Sequence, residues 1–327
     1  MKRNTTYTAL LAGTASLLLL GTACSSEGGR DTASEEGVDT PELTIAMITH
    51  EVPGDTFWDI VRAGAEDAAA KSNIDLEYAS DPEAREQASL IQNAIDREVD
   101  GIAVTLSTPD VLEGAIADAE AAGIPVVAFN SGIEEWADMG VQQYFGTDEH
   151  LAGTAFGERL TEVGAQNALC VIQEQGHVAL ETRCSSLGEA FEGDSEVLYV
   201  DSANMPEVRS SISAKLQEDD DIDYVVTLGA PIAMTAIDAI DDAGSDAAVA
   251  TFDTNSELVG AIQEGIVQWA VDQQPYLQGY LAVDSLWLYN TNGNTSGGGT
   301  EPVLTGPAFV DETNVDEIAV FAEEGTR

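Results

Sequence analysis

Polar side chains follow several apolar runs of the sequence, at the point where each predicted strand ends. Asn130 and Ser131 follow IPVVAF, Asp253 follows AAVATF and Gln273 follows VQWAVD. Carboxylates and amides present donors and acceptors in planar pairs, which match the vicinal hydroxyls of a sugar. Each residue could instead cap the helix that follows it, and Asp253 could do both. Their recurrence at one topological position favours a ligand site.

An aromatic pair opens the first predicted helix. Phe57 and Trp58 come directly after the first strand and its turn. Sugars present flat C–H faces that stack on aromatic rings, so the pair suits a carbohydrate site. The alternative is that one ring packs beneath the helix. We expect at least one of the two rings to contact the ligand.

Several enzymatic motifs are absent from the sequence. There is no GxGxxG after the first strand, no GxxxxGK[ST] and no GxSxG, which argues against a dinucleotide enzyme, a P-loop enzyme and an α/β-hydrolase. His50, His150 and His177 lack the spacing of a zinc site. The sequence predicts neither catalysis nor a metal or other cofactor.

Two cysteines remain after one near the N-terminus is set aside. Cys170 lies in a predicted strand and Cys184 in the helix that follows. An even pair in an exported protein favours a disulfide over two separately buried thiols.

The N-terminus predicts export. Lys2 and Arg3 precede an apolar run that is too short to span a bilayer, and Leu19–Cys24 resembles a bacterial lipobox. We therefore expect a signal peptide over residues 1–23 and lipidation at Cys24; an ordinary signal peptide with a chance cysteine is the alternative. Residues 24–42 are small, polar and acidic, as in a flexible tether.

Strand-like and helical patterns alternate along the rest of the chain. The alternation predicts an α/β fold with parallel sheets covered by helices on both faces. The roughly 285 residues after the tether exceed one hydrophobic core, so we expect two doubly wound, Rossmann-like lobes. Ligands bind such sheets at the carboxyl ends of the strands, which places the site in the cleft between the lobes.

The charge of the chain is strongly acidic. Twelve Lys and Arg oppose 59 Asp and Glu, for a formal net charge of −47. Such a field repels nucleic acid and anionic lipid head groups, so nucleic-acid binding is excluded and membrane contact is expected through the lipid anchor alone.

Several segments resemble the sugar-binding, type 1 periplasmic-binding-protein receptors of ABC importers, the group that includes the ribose receptors. The resemblance covers residues 43–310. It is carried by residues 53–69, 99–110, 121–132, 144–153, 249–267 and 271–284.

The resemblance implies a set of ligand contacts. In this sequence they are the aromatic pair Phe57 and Trp58, together with Asn130, Ser131, Glu181, Gly229, Asp253 and Gln273, and His50 at the rim of the cleft. Glu181 and Ser131 stand where the ribose receptors have arginines, which argues against ribose. With acids facing the site and no cationic partner predicted, a sugar acid or phosphate is disfavoured. A neutral sugar or polyol fits better, and an amino sugar stays open.

The resemblance also implies three crossovers, near Thr147, Gln273 and Pro302. The N-terminal lobe would then hold residues 43–147 and 274–301, and the C-terminal lobe 148–273 and 302–327. We expect a monomeric binding protein on the outer face of the cytoplasmic membrane, delivering its ligand to an ABC permease. A tethered sugar sensor and, less well supported, an enzyme on the same scaffold are the alternatives.

Overall fold

The computed structural model describes residues 40–327. The predicted signal peptide, the lipidation site Cys24 and the tether up to residue 39 lie outside these residues. Among the helices of the described part, none has the length and apolar character needed to cross a bilayer.

Strands and helices alternate through the described chain, as the sequence predicts. The strands are β1 (Leu43–Thr49), β2 (Ile74–Ser80), β3 (Gly101–Val104), β4 (Val126–Phe129), β5 (Tyr144–Thr147), β6 (Asn167–Ile172), β7 (Asp194–Tyr199), β8 (Tyr224–Thr227), β9 (Ala248–Phe252), β10 (Val267–Asp272), β11 (Val303–Gly306) and β12 (Ala308–Asp311). The helices are α1 (Thr56–Ser72), α2 (Ala84–Asp96), α3 (Pro109–Ala121), α4 (Glu149–Val163), α5 (Val178–Ala190), α6 (Met205–Glu218), α7 (Ala230–Ala243), α8 (Ser256–Gln263), α9 (Pro275–Asn292) and α10 (Val315–Glu323).

The strands form two six-stranded sheets. The first has the order β11-β5-β4-β3-β1-β2 and the second β12-β10-β9-β8-β6-β7. All pairs are parallel except β10 with β12, which is antiparallel. The predicted fold class, two doubly wound parallel sheets, is confirmed.

Both faces of each sheet are buried under helices. Along β1, Ala46 and Ile48 pack into one apolar cluster with α2 and α3, while Ile45 and Met47 pack into another with α1 and α9. Side chains alternate between the faces of a strand, so a continuous apolar run is what a sheet covered on both sides requires.

Each sheet reverses its strand order beside one strand. β1 lies between β2 and β3, and β6 lies between β7 and β8. Loops leave in opposite directions at such a reversal and open a crevice at the carboxyl ends of the strands. The residues that follow β1 and β6 therefore lie where a ligand can enter.

The last predicted strand, Val303–Val310, is in fact two strands. β11 pairs with β5 in the first sheet, and β12 pairs with β10 in the second. The chain thus passes between the sheets at Gly306-Pro307. The crossover lies about four residues after the position expected near Pro302, because β11 stays paired with β5 as far as Gly306. The other two connections follow Thr147 and Asp272, close to their predicted positions.

The predicted disulfide is present. Cys170 of β6 and Cys184 of α5 are bonded, with their Cα atoms 6.0 Å apart. The bond ties α5 to the strand that precedes it, and α5 carries part of the site described below.

Candidate functional site

Residues from both sheets converge on one small cavity, which we call the inner cavity. Its volume is about 30 Å³. It is lined by His50, Asp55, Phe57, Trp58, Asn130, Gln173, Glu174, His177, Leu180, Arg183, Leu228, Asp253 and Gln273. It shares Gln173, Glu174 and His177 with a wider cleft of about 610 Å³. The site therefore lies where the carboxyl ends of the two sheets face each other.

Six of the nine residues proposed from the sequence as ligand contacts line the inner cavity. They are His50, Phe57, Trp58, Asn130, Asp253 and Gln273. His50 lies deeper than the rim position expected for it, since its side chain is only 3% exposed.

The other three residues lie elsewhere. Ser131 is fully buried behind the cavity, with its hydroxyl 3.4 Å from His177 Nε2. Gly229 lines an adjoining cavity of about 290 Å³. Glu181 points away from the inner cavity, because its carboxylate accepts hydrogen bonds from the backbone N–H of Gly176 and from the Tyr199 hydroxyl.

Arg183 occupies the place in the cavity wall that the sequence interpretation gave to Glu181. Arg183 is 3% exposed, and its guanidinium binds the Glu149 carboxylate, with Nη2 3.0 Å from Oε1. The same Nη2 donates to Gln273 Oε1 at 2.7 Å. The expectation that no cation faces the site is therefore wrong, although this cation already has an anionic partner. The helical phase of Leu180, Arg183 and Leu187 would have placed it on the buried face of α5.

The aromatic pair belongs to both the core and the cavity. Phe57 and Trp58 lie on the buried side of the first turn of α1, and their rings meet edge to face with centroids 5.0 Å apart. The Asp55 carboxylate accepts from the backbone N–H of Phe57 and caps this helix. The cap fixes where α1 begins and hence where the two rings enter the cavity.

Two polar residues adopt left-handed backbone conformations beside the cavity. Asn130 and Asp253 both have φ of 67°. Non-glycine residues rarely adopt this region, Asn and Asp more readily than others, and such strain concentrates at functional sites. Asn255, not Asp253, caps α8, by accepting from the backbone N–H of Leu258. The Asp253 carboxylate is thus left to face the cavity and to accept from the Gln273 amide.

Carboxyl groups dominate the electrostatics of the cavity. Burial raises the pKa of Asp55 to about 6, and that of Glu174 and Asp253 to about 8. The charge of Asp55 contributes to the rise at the other two, while Arg183 opposes it at Asp253. At neutral pH Glu174 and Asp253 are therefore mostly protonated in this conformation. A ligand hydroxyl that donates to either group would favour its ionised form, so the wall favours ligands that donate hydrogen bonds.

Two histidines meet in the wall of the cavity. His50 follows β1 and His177 caps α5, and their Nε2 atoms lie 2.9 Å apart. His50 also meets the Trp58 ring edge to face, with centroids 4.8 Å apart. Burial lowers the pKa of His50 to about 3 and holds that of His177 well below its usual range. Both rings are therefore neutral in this conformation.

Glu174 joins the two histidines in a group with the chemistry of metal ligands. One donor atom from each residue lies within 4.8 Å of the others. The hydrogen bonds of His177 argue against a metal ion, however. Its Nδ1 accepts from the backbone N–H of Ala179, so its proton resides on Nε2, the atom that would have to bind the ion.

Known proteins resemble the chain over most of its length. The family model described as periplasmic binding protein domain matches residues 45–294. The chain is 24% identical to the xylose/arabinose-binding protein XylF of Sulfolobus acidocaldarius over 76% of its own length and 66% of that protein's, slightly less than two thirds. It is also 24% identical to the ribose import binding protein RbsB of Bacillus subtilis, covering 83% of this chain and 89% of the relative.

A solved structure matches more closely. The crystal structure of a carbohydrate transporter from Acidothermus cellulolyticus, in complex with myo-inositol, is 57% identical to this chain. It superposes with a TM-score of 0.87 and covers 88% of this chain and all of the other. These relatives are sugar-binding transport proteins and not enzymes. The chain belongs to the periplasmic binding protein domain family, and the relatives named above bind or transport sugars.

Proposed function

We propose that this protein captures a neutral cyclic polyol outside the cytoplasm and delivers it to an ABC importer, with myo-inositol as the first candidate ligand. The observation that carries the proposal is the inner cavity, where carboxylates, amides and aromatic rings from both sheets face one another. Ring hydroxyls would donate to Asp55, Glu174 and Asp253, and a flat C–H face would rest on Phe57 or Trp58. The 57% identical structure that contains myo-inositol supports this choice of ligand.

The charge of the cavity supports a neutral ligand over an anionic one. Three carboxyl groups line it, and Arg183 already binds Glu149. A phosphate or carboxylate on the ligand would be buried beside acids with no free cation in the wall, which costs more than its contacts return.

A capture mechanism requires the cleft to open and close. Small-molecule sites are typically about 300–1,000 Å³, whereas the inner cavity has a volume of only about 30 Å³. We propose hinge bending at the three connections, after Thr147, after Asp272 and at Gly306-Pro307. The ligand would enter through the wider cleft and be enclosed as the sheets approach.

A ligand screen tests this function. Thermal unfolding is measured with myo-inositol, its stereoisomers, common pentoses and hexoses, glucuronate and an inositol monophosphate. A ligand present at about 100 times its Kd should add about 2.7 kcal/mol of stability. We expect a neutral cyclic polyol to give the largest rise and the two anions to give none. A preference for an anion, or no rise with any compound, would refute the proposal.

The proposed lipid anchor has its own test. Cys24→Ala should release the protein from the membrane fraction, because the thiol of Cys24 would carry the lipid. Ser25→Ala, at the neighbouring residue, serves as the control and should stay with the membrane. A Cys24→Ala variant that remains membrane-bound would place the anchor elsewhere.

A further inference from the structure

The contact between His50 and His177 joins the two halves of the site. His50 follows β1 of the first sheet, and His177 begins α5, which packs on the second. Their Nε2 atoms are 2.9 Å apart, and both side chains are at least 94% buried. A direct N···N hydrogen bond requires that one ring donates and the other accepts.

The remaining ring nitrogens determine which ring donates. His177 Nδ1 accepts from the backbone N–H of Ala179 at 3.2 Å, so its proton must be on Nε2. His50 Nε2 must then be the acceptor, and the His50 proton lies on Nδ1. That atom is 2.7 Å from Thr105 Oγ1, which can accept it. Both rings are thus held in one tautomer by contacts outside the cavity.

This arrangement specifies what can enter between the rings. An incoming group must accept from His177 Nε2–H and donate to His50 Nε2. A hydroxyl does both, whereas an ether, a fluorine or a carbonyl only accepts and an ammonium only donates. Both rings line the inner cavity, so a ligand group that occupies it would reach the two Nε2 atoms from that side.

We propose that one hydroxyl of the ligand inserts between His50 Nε2 and His177 Nε2, so that this pair selects a free hydroxyl at one position of the ring. The inference rests on the proposed polyol ligand, and it adds His177 to the residues that contact this ligand. The direct N–H···N bond between the two rings would be replaced by N–H···O–H···N. Neighbouring hydroxyls would reach Asp55 and Glu174, which line the same cavity.

A series of ligand analogues tests the proposal. Each hydroxyl of myo-inositol is replaced in turn by fluorine, and affinities are measured by titration calorimetry. At the position that lies between the histidines, fluorine leaves the buried acceptor His50 Nε2 unsatisfied, so affinity should fall about tenfold to a hundredfold. His50→Phe removes this acceptor. In that variant the fluorinated and parent ligands should bind within about twofold of each other at the same position.

Two variants serve as controls. His150→Phe alters the exposed third histidine, which bonds Ser186 and does not line the cavity, and should reproduce the wild-type series. If His50→Phe does not fold, His50→Asn is used in its place. The asparagine side chain is shorter, so its amide cannot supply an acceptor at the position of His50 Nε2. If the fluorine penalty at that position persists unchanged in the His50 variant, or if no position shows a penalty while the parent binds, the inference is wrong and the polyol function stands. If no polyol binds, both fall.

Discussion

At the scale of single residues, the site depends on carboxylates that are buried without full compensation. Asp253 is the clearest case, because its backbone is left-handed, its pKa is raised to about 8 by burial, and it does not cap α8. A residue kept under these conditions costs folding stability. The compensation that we infer is ligand binding, because hydroxyls that donate to Asp253 would favour its ionised form. A hydrogen bond to a charged group contributes about 1.5–3 kcal/mol.

Asp253→Asn should therefore weaken polyol binding about tenfold to a few hundredfold without lowering the melting temperature. Asparagine keeps the size and tolerates the left-handed backbone but loses the charged acceptor. Titration calorimetry and a thermal melt of the same sample measure both quantities. Asp118→Asn, an exposed acid of α3, is the matched control and should change neither. A drop in melting temperature with unchanged affinity would assign Asp253 a purely structural role.

The histidine pair predicts an acid limit to binding. His50 has an ordinary pKa near 6.5 when the cleft is open and about 3 when it is closed, so the open form takes up the proton. As the pH falls below about 6.5, affinity should decrease by up to tenfold per pH unit for each histidine.

Other groups facing the rings act in the opposite direction. The raised pKa values of Asp55, Glu174 and Asp253 favour the closed form in acid, while Arg183 keeps its charge. The difference between wild type and His50→Phe, measured by calorimetry from pH 7.5 to 5.5, removes these shared contributions. Equal pH profiles for the two proteins would contradict a role for His50 protonation.

Sequence reasoning found polar residues at three strand ends, His50 and the aromatic pair of α1. It missed the cavity residues that follow β6 or lie in α5, among them Gln173, Glu174, His177 and Arg183. Asn130, Asp253 and Gln273 were predictable because the end of a parallel strand fixes where the next side chains lie. Arg183 required the phase of α5, and the carried-over alignment was two positions off, at Glu181. The convergence of His50 with His177 depends on how the two sheets face each other, which residue spacing does not encode.

At the scale of elements, two helices approach closely through glycines. A Cβ on Gly64 of α1 would overlap the carbonyl oxygen of Tyr276 in α9, and one on Gly279 of α9 would overlap that of Val61 in α1. The approach brings α9, which follows the second connection between the sheets, against the helix that carries Phe57 and Trp58. The contact therefore fixes the first half of the site to the hinge.

Gly64→Ala should destabilise the protein strongly, because the backbone of α9 would have to move. Overpacking of this kind typically costs about 1–3 kcal/mol or more. Gly114→Ala in α3 is the matched control, since its Cβ would meet nothing within 4 Å. That change should stabilise by up to about 1 kcal/mol, because alanine is the better helix former. Chemical denaturation measures both, and an equal effect of the two substitutions would disprove the close-contact account.

The disulfide links β6 to α5, the helix that carries Arg183. Replacing Cys170 and Cys184 together by alanine should lower the free energy of unfolding by about 3 kcal/mol, from the lost restriction of a loop of this size. Denaturant unfolding with and without reductant gives the measurement. Reductant should affect the wild type and not the double variant. A wild type that is insensitive to reductant under denaturing conditions would show that the bond does not form.

The order of elements was predictable and one junction was not. Apolar runs buried on both faces, separated by amphipathic helices, leave few alternatives to a doubly wound sheet. Val303–Val310 also reads as one apolar strand, yet the chain changes sheets within it at Gly306-Pro307. The sequence of a short strand does not determine which sheet the strand joins, because its pairing depends on residues that are distant in sequence.

At the scale of the whole molecule, the two sheets face each other across an inner cavity of about 30 Å³ that adjoins a wider cleft of about 610 Å³. The net charge of −47 disfavours anionic partners. The carboxyl groups that line the inner cavity disfavour an anionic ligand in the same way. Opening at three connections would admit a neutral polyol, and closure would enclose it. The cost of bringing these carboxyl groups together would be offset by the hydroxyls that donate to them.

Titration calorimetry of the mature protein with myo-inositol, run beside Asp253→Asn and followed by recovery of the ligand, tests this account most directly. We expect one site per chain in the wild type, a loss of about tenfold or more in the variant, and ligand recovered chemically unchanged. Absence of binding by any neutral polyol, or equal affinity in the two proteins, would show that the inner cavity is not the binding site.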